Sequence, residues 1–171
     1  MEFILKLPNK LGMQLLTYLS NEQHKVITRC NSSDQAAALI LTKNYPESRW
    51  GLATPSEVDL ILSEQDVTIN FHHWCFTPEN FKKLEPLKSF WDVLATNYDA
   101  NGIEFISMLE AKHHPFWGIQ YHPEKIAYEW TQKKLNIPHT RDAVFAAAFH
   151  AEFFVDVSRK VHSNSSFYVH Y

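Results

Sequence analysis

Apolar positions recur at helical spacing in three parts of the chain, and short β-type runs lie between them. Residues 11–19, with Leu11, Met13, Leu15, Leu16, Tyr18 and Leu19 apolar, predict a buried helix with Pro8 or Asn9 as its start signal. Residues 57–64, with Val58, Leu60, Ile61 and Leu62 apolar, predict one or two helical turns. Residues 141–160 carry Val144, Phe145, Ala148, Phe149, Phe153, Val155 and Val157 along a long amphipathic helix. Asp142 in its first turn and Arg159-Lys160 at its end suit the helix dipole. A further helix should start at Thr77-Pro78, with the threonine as cap and the proline at the first position.

Strands are expected at 26–30, 67–71, 91–96, 103–109 and 116–121, where β-branched and aromatic residues cluster between turn formers. Residues 36–41 form an apolar run that suits either a strand or a helix. The segment 31–35 reads as a polar loop, 45–54 as a loop, 82–88 as solvated surface and 97–102 as a turn. Residues 1–7 supply at most one short strand, and the Ser-rich tail 162–171 is expected to be loose. This alternation predicts an α/β domain whose site is built at strand ends.

A length of 171 residues suits one domain with a real core, and 45% hydrophobic against 20% charged residues is a globular rather than a disordered balance. The net charge of −3 gives no reason to expect nucleic acid or an anionic membrane as a partner, and no stretch approaches membrane-spanning length. His72-His73 and His113-His114 lack the i, i+4 spacing and flanking carboxylates of a zinc helix, and there is no CxxC, so neither metal nor cofactor is expected. Cys30 and Cys75 are the two cysteines. They cannot build a dense disulfide framework, and a single bridge between them is left open. Asn31-Ser32-Ser33 and Asn164-Ser165-Ser166 fit the glycosylation pattern, which matters only in a secreted or luminal protein. The opening residues, with an early Glu2 and a short apolar run, do not make a convincing signal peptide.

Candidate chemistry concentrates where the run 116–121 ends in His122-Pro123-Glu124. Pro123 offers no donor to a ladder and biases the residue before it away from helical dihedrals, so His122 and Glu124 are expected in a turn rather than on a helix face. A histidine with a carboxylate two residues on supplies a base and the partner that fixes its tautomer. His72 should close the strand 67–71, either as a site residue or as a hydrogen-bonded strand-end histidine. Cys75, between Trp74 and Phe76, reads as a small buried hydrophobe more readily than as a nucleophile. Cys30 has Arg29 beside it but lies far in sequence from both histidine motifs. Tyr128-Glu129-Trp130 suits a pocket wall and a packed turn equally.

The stretch Gly118-Ile119-Gln120-Tyr121-His122-Pro123-Glu124 resembles the motif that ends the catalytic domain of class I glutamine amidotransferases, where His and Glu complete a Cys-His-Glu triad. Together with Gly102-Ile103-Glu104-Phe105-Ile106-Ser107, Asn70-Phe71-His72-His73-Trp74 and Tyr128-Glu129-Trp130, it resembles the γ-glutamyl hydrolases, over roughly 11–157. The resemblance implies an α/β fold, the C-terminal part of a flavodoxin-like sandwich with a mixed central sheet flanked by helices. The strands that precede the nucleophile would be missing, leaving a single incomplete domain over 1–171, with 36–41 as a strand. It also implies hydrolysis of γ-glutamyl bonds in folyl poly-γ-glutamates, with His122 as base, Glu124 as its partner, and His72, Trp74 and Tyr128 at the substrate. No cofactor is implied, the ligand is a small molecule, and the family is lysosomal, vacuolar or secreted.

One departure is chemical. The family's elbow reads Gly-Thr-Cys-Leu-Gly, whereas here Leu11-Gly12 follows Pro8-Asn9-Lys10, so Lys10 stands at the nucleophile position. An ammonium at neutral pH has no free lone pair, and an amide formed there would be as hard to hydrolyse as the substrate. Pro8 also removes a backbone donor from the elbow. The expectation is a hydrolase-like chain inactive alone. The alternative is a non-catalytic pseudoenzyme or truncated isoform that binds glutamyl ligands, self-associates, or pairs with an intact homologue.

Overall fold

The computed structural model describes residues 4–6 and 27–165. The helix expected at 11–19, Pro8 and Lys10 lie outside the described residues, as does the end of the tail. Strand β1 (Ile4–Lys6) is followed by β2 (Thr28–Ala37), β3 (Ile40–Leu41), α1 (Arg49–Ala53), α2 (Ser56–Glu64) and β4 (Thr68–Cys75). Then come α3 (Pro78–Lys83), α4 (Glu85–Phe90), β5 (Trp91–Tyr98), β6 (Glu104–Ala111), β7 (Trp117–Ile119), α5 (Pro123–Tyr128) and α6 (Arg141–Ser165).

A mixed five-stranded sheet runs in the order β1-β7-β6-β5-β3. β1 lies parallel to β7, with Ile4 opposite Trp117, and the remaining neighbours are antiparallel. β2 and β4 form a separate antiparallel ribbon that places Ser32 opposite His72 and Thr28 opposite Cys75. The β5-β6 hairpin closes through a turn organised by Asp99. Its carboxylate accepts from the backbone N–H of Asn101 (2.9 Å), Ile103 (2.7 Å) and, across to β2, Asn31 (2.6 Å). Gly102 completes the turn at φ +78°, a left-handed conformation that glycine adopts without a Cβ clash.

The main core lies between the sheet and α6. Ala143, Ala146 and Ala147 let the helix approach closely, and Phe153 packs its ring 4.3 Å from Trp50 and 5.1 Å from Trp117. Thr140 caps this helix by accepting from the N–H of Ala143 at 3.1 Å, and Asp142 occupies the first turn as its dipole favours. A second apolar cluster around Phe81, Leu87, Trp91 and Leu109 holds α3 and α4.

Several elements differ from the sequence expectation. The segment 45–54 is not all loop, because α1 forms at its end. Ser48 accepts from the N–H of Gly51 at 2.9 Å, and the Glu110 carboxylate accepts from the backbone N–H of Arg49 and Trp50, each at 3.0 Å. The same carboxylate takes Arg49 Nε–H (3.1 Å) and Trp117 Nε1–H (2.6 Å), fastening α1 to β6 and β7. The polar segment 31–35 is strand, since a two-stranded ribbon leaves one face to water; Asp34, at φ 55°, marks the bulge there. Within 82–88, taken as solvated surface, α4 forms because Leu87 turns into the second core cluster. β4 does not close at His72 but runs on to Cys75.

Candidate active site

His122 follows β7 and immediately precedes α5. Its N–H donates to the carbonyl of Ile69 in β4 at 2.8 Å, so the backbone at this position is pinned to the neighbouring ribbon. Pro123 begins α5 rather than a turn, a correction to the expectation: at the first helical position proline's missing donor and fixed φ are no handicap. Glu124 therefore stands in a helical first turn, and its Oε1 lies 3.1 Å from His122 Nδ1.

Facing a carboxylate, Nδ1 carries the proton and donates it, which leaves the lone pair on Nε2. Nε2 is buried and has no hydrogen-bond partner among the described residues. Burial without a partner is costly for an imidazole nitrogen, by about 1–3 kcal/mol. A ring held in this tautomer presents a nitrogen lone pair that can accept a proton.

Beside it, the Phe71 ring sits 6.1 Å from the His122 ring. Lys134 Nζ and Lys125 Nζ lie 4.2 and 5.3 Å from the Phe71 centroid. Both ammonium groups also pair with Glu129, Lys134 at 3.0 Å. The Lys125 hydrogen bond, then the Lys134 one, hold that carboxyl below its ordinary range.

His72 is buried in β4, and its two ring nitrogens face different neighbours. Its Nε2–H donates to Asn70 Oδ1 at 3.1 Å, and Nδ1 faces Cys75 Sγ at 3.5 Å and Cys30 Sγ at 3.7 Å. Asn70 is oriented for this by donating its own amide to the carbonyls of Thr68 and Gln35. Burial, then the neighbouring charges of His122 and His73, push the His72 pKa down to about 4, so the ring is neutral at pH 7. Cys30 and Cys75 are joined in a disulfide, with Cα atoms 5.8 Å apart, which settles the pairing left open by sequence. In this state neither sulfur is a free nucleophile. Strand pairing brings Cys30 beside His72 although 42 residues separate them.

The two aromatic site candidates fall in different places. Trp74 is half-exposed on β4, and its carbonyl accepts from Gln120 Nε2 at 3.1 Å. Tyr128 is 86% exposed, so it is not part of a packed turn. With Glu124 it lines a largely apolar groove of about 440 Å³ between α5 and α6, whose wall includes Ile119, Ala147 and Phe154. His72 and Trp74 are not among the residues of that groove. Trp130 instead stacks on His139, with ring centroids 3.8 Å apart.

Sequence reasoning missed the support under His122. The Tyr121 hydroxyl donates to His150 Nε2 at 2.6 Å, and His150 Nδ1–H donates to the carbonyl of Ala146 at 2.7 Å. Burial holds His150 down to about 4. The available signal was position 150 itself, which shares a helical face with Ala146 and Phe153.

A mixed sheet flanked by helices, with a coupled His–Glu pair just beyond the strand that runs parallel to β1, is the architecture of a class I glutamine amidotransferase-like α/β protein. No known family model matches the sequence. The relatives are specific, however. The chain is 40% identical over 151 residues to human gamma-glutamyl hydrolase and 38% identical over 150 to the bovine protein, in each case across 88% of this chain and 46% of the relative. It is 34% identical over 157 residues to gamma-glutamyl hydrolase B of Dictyostelium discoideum, across 92% of this chain and 44% of that one. By this similarity the chain belongs to the γ-glutamyl hydrolase family. It spans slightly under half the length of these curated relatives.

Proposed function

We propose that this chain carries the base half of a γ-glutamyl hydrolase site and binds γ-linked glutamyl chains, such as those of folyl poly-γ-glutamates, without hydrolysing them alone. The observation that carries this reading is the His122 Nδ1 to Glu124 Oε1 contact of 3.1 Å with Nε2 buried and unpartnered among the described residues. In the full reaction His122 Nε2 takes the proton of an attacking thiol and returns it to the leaving amine, while Glu124 keeps the ring in that tautomer. Lys10, at the position of the thiol by sequence, supplies no such nucleophile. Its ammonium favours an anionic glutamyl tail by charge. His72, neutral and held through Nε2 by Asn70, supports the site from β4, and Trp74 and Tyr128 are the proposed substrate-side aromatics.

Titration calorimetry with a γ-glutamyl oligoglutamate, followed by a glutamate-release assay on the same sample, tests this. Binding with no released glutamate is expected. Release that disappears in His122→Ala would show that Lys10 does not end catalysis, and the absence of binding by a cooperatively folded chain would remove the ligand-binding reading.

A further inference from the structure

His72 also belongs to a second cluster, with two cysteines whose sulfurs the proposed hydrolytic chemistry leaves unused. Cys30 Sγ, Cys75 Sγ and His72 Nδ1 all lie within 4.8 Å of one another, on three buried residues. Because His72 donates Nε2–H to Asn70 Oδ1, its Nδ1 bears no proton and presents a lone pair to both sulfurs. Ligands about 2.3 Å (S) and 2.0–2.1 Å (N) from a tetrahedral zinc ion are separated by about 3.6 Å from N to S. The two N-to-S distances here are 3.5 and 3.7 Å.

Two further features fit a metal. Asn70 fixes the tautomer of the ligating ring from behind, the usual task of an outer-shell group. Ser32 lies opposite His72 in the ribbon, on the same buried side as Cys30, and its Oγ is buried with no hydrogen-bond partner among the described residues. A metal-bound water would satisfy that hydroxyl.

We propose that the reduced protein binds one Zn²⁺ through Cys30 Sγ, Cys75 Sγ and His72 Nδ1, with water as fourth ligand near Ser32, so that disulfide and zinc are alternative occupants of one site. The step balances as follows: a dithiol gives two electrons and two protons to the Cys30–Cys75 bond and closes to its own disulfide, leaving two thiols. Zinc then displaces both thiol protons, and the sulfurs move apart to about 3.8 Å, the edge of a tetrahedral dithiolate. His122 and Glu124 take no part, so this proposal stands or falls apart from the hydrolytic one.

The test reduces the 171-residue chain with a trialkylphosphine, which water converts to its oxide, removes metal, and titrates with Co²⁺ and then Zn²⁺. One equivalent of Co²⁺ should give thiolate-to-cobalt charge transfer and tetrahedral d–d bands, both abolished by one equivalent of Zn²⁺, with the unfolding midpoint raised. The oxidised chain should show neither band. Cys30→Ser should lose most of the charge transfer, and Asn70→Ala should keep it while weakening zinc binding about 10–100-fold. A reduced chain that unfolds cooperatively yet shows no charge transfer overturns the proposal. If the reduced, metal-free chain shows no transition, zinc must restore one, and failure to do so overturns it equally. Tetrahedral d–d bands that persist without charge transfer in both Cys30→Ser and His72→Ala would locate the metal at other histidines and also overturn it.

Discussion

His150 offers the sharpest test of how the segment that carries His122 is anchored. It is buried in α6, accepts from the Tyr121 hydroxyl, and is held at a pKa of about 4 by desolvation, against an ordinary value of 6.5. The folded state therefore favours the neutral ring, whereas the unfolded chain protonates near pH 6.5. Stability from this group is complete above pH 6.5 and is lost as pH falls towards 4, because over that window the unfolded state binds the extra proton. The slope approaches about 1.4 kcal/mol per pH unit between the two values, so moving from pH 7 to pH 5 should cost about 2 kcal/mol. His72, depressed to about 4, should add a loss of similar size. His150→Gln keeps an acceptor for Tyr121 but cannot titrate. Urea unfolding at pH 7 and pH 5 should then show the variant losing about 2 kcal/mol less than the unmodified chain. An unchanged pH 7 to pH 5 difference would mean that His150 is not buried neutral, and the network under His122 would have to be redrawn.

Glu110→Gln replaces a carboxylate that accepts from Arg49 N, Trp50 N, Arg49 Nε and Trp117 Nε1 with an amide whose NH2 must face donors. A loss of about 2–4 kcal/mol is expected by urea unfolding, and a change under about 0.5 would show that these bonds do not hold α1. Gly51→Ala should be costlier than Gly102→Ala. A Cβ at 51 would meet the Tyr45 carbonyl oxygen at 2.1 Å, whereas at 102 nothing lies within 4 Å and only the left-handed strain of about 1–2 kcal/mol remains. Thermal melts of the two variants rank them, and the reverse order would contradict the close approach at Tyr45.

What could be read from sequence was what depends on local period and local capping. α2, α6 and the start of α3 announce themselves through apolar spacing and through Thr77 and Pro78, because the interactions that fix them lie within a turn. The turn at 99–102 is legible for the same reason. α1 was not, because half of its N-terminal donors are satisfied by Glu110, 61 positions away from Arg49. The strand through Asn31, Ser32 and Ser33 was not either, since its polar sequence pairs only because β4 lies beside it. The contact of Cys30 with His72 follows from that same pairing.

The candidate site divides along this line, and the division has a physical consequence. His122 and Glu124 are two residues apart, so their coupling needs only the helical start that Pro123 provides. The direction in which the pair points is set by groups distant in sequence: the Ile69 carbonyl that takes the His122 N–H, and His150, which anchors the side chain of Tyr121 next door. The described contacts thus orient the His–Glu pair from β4 and α6, two elements far from it in sequence.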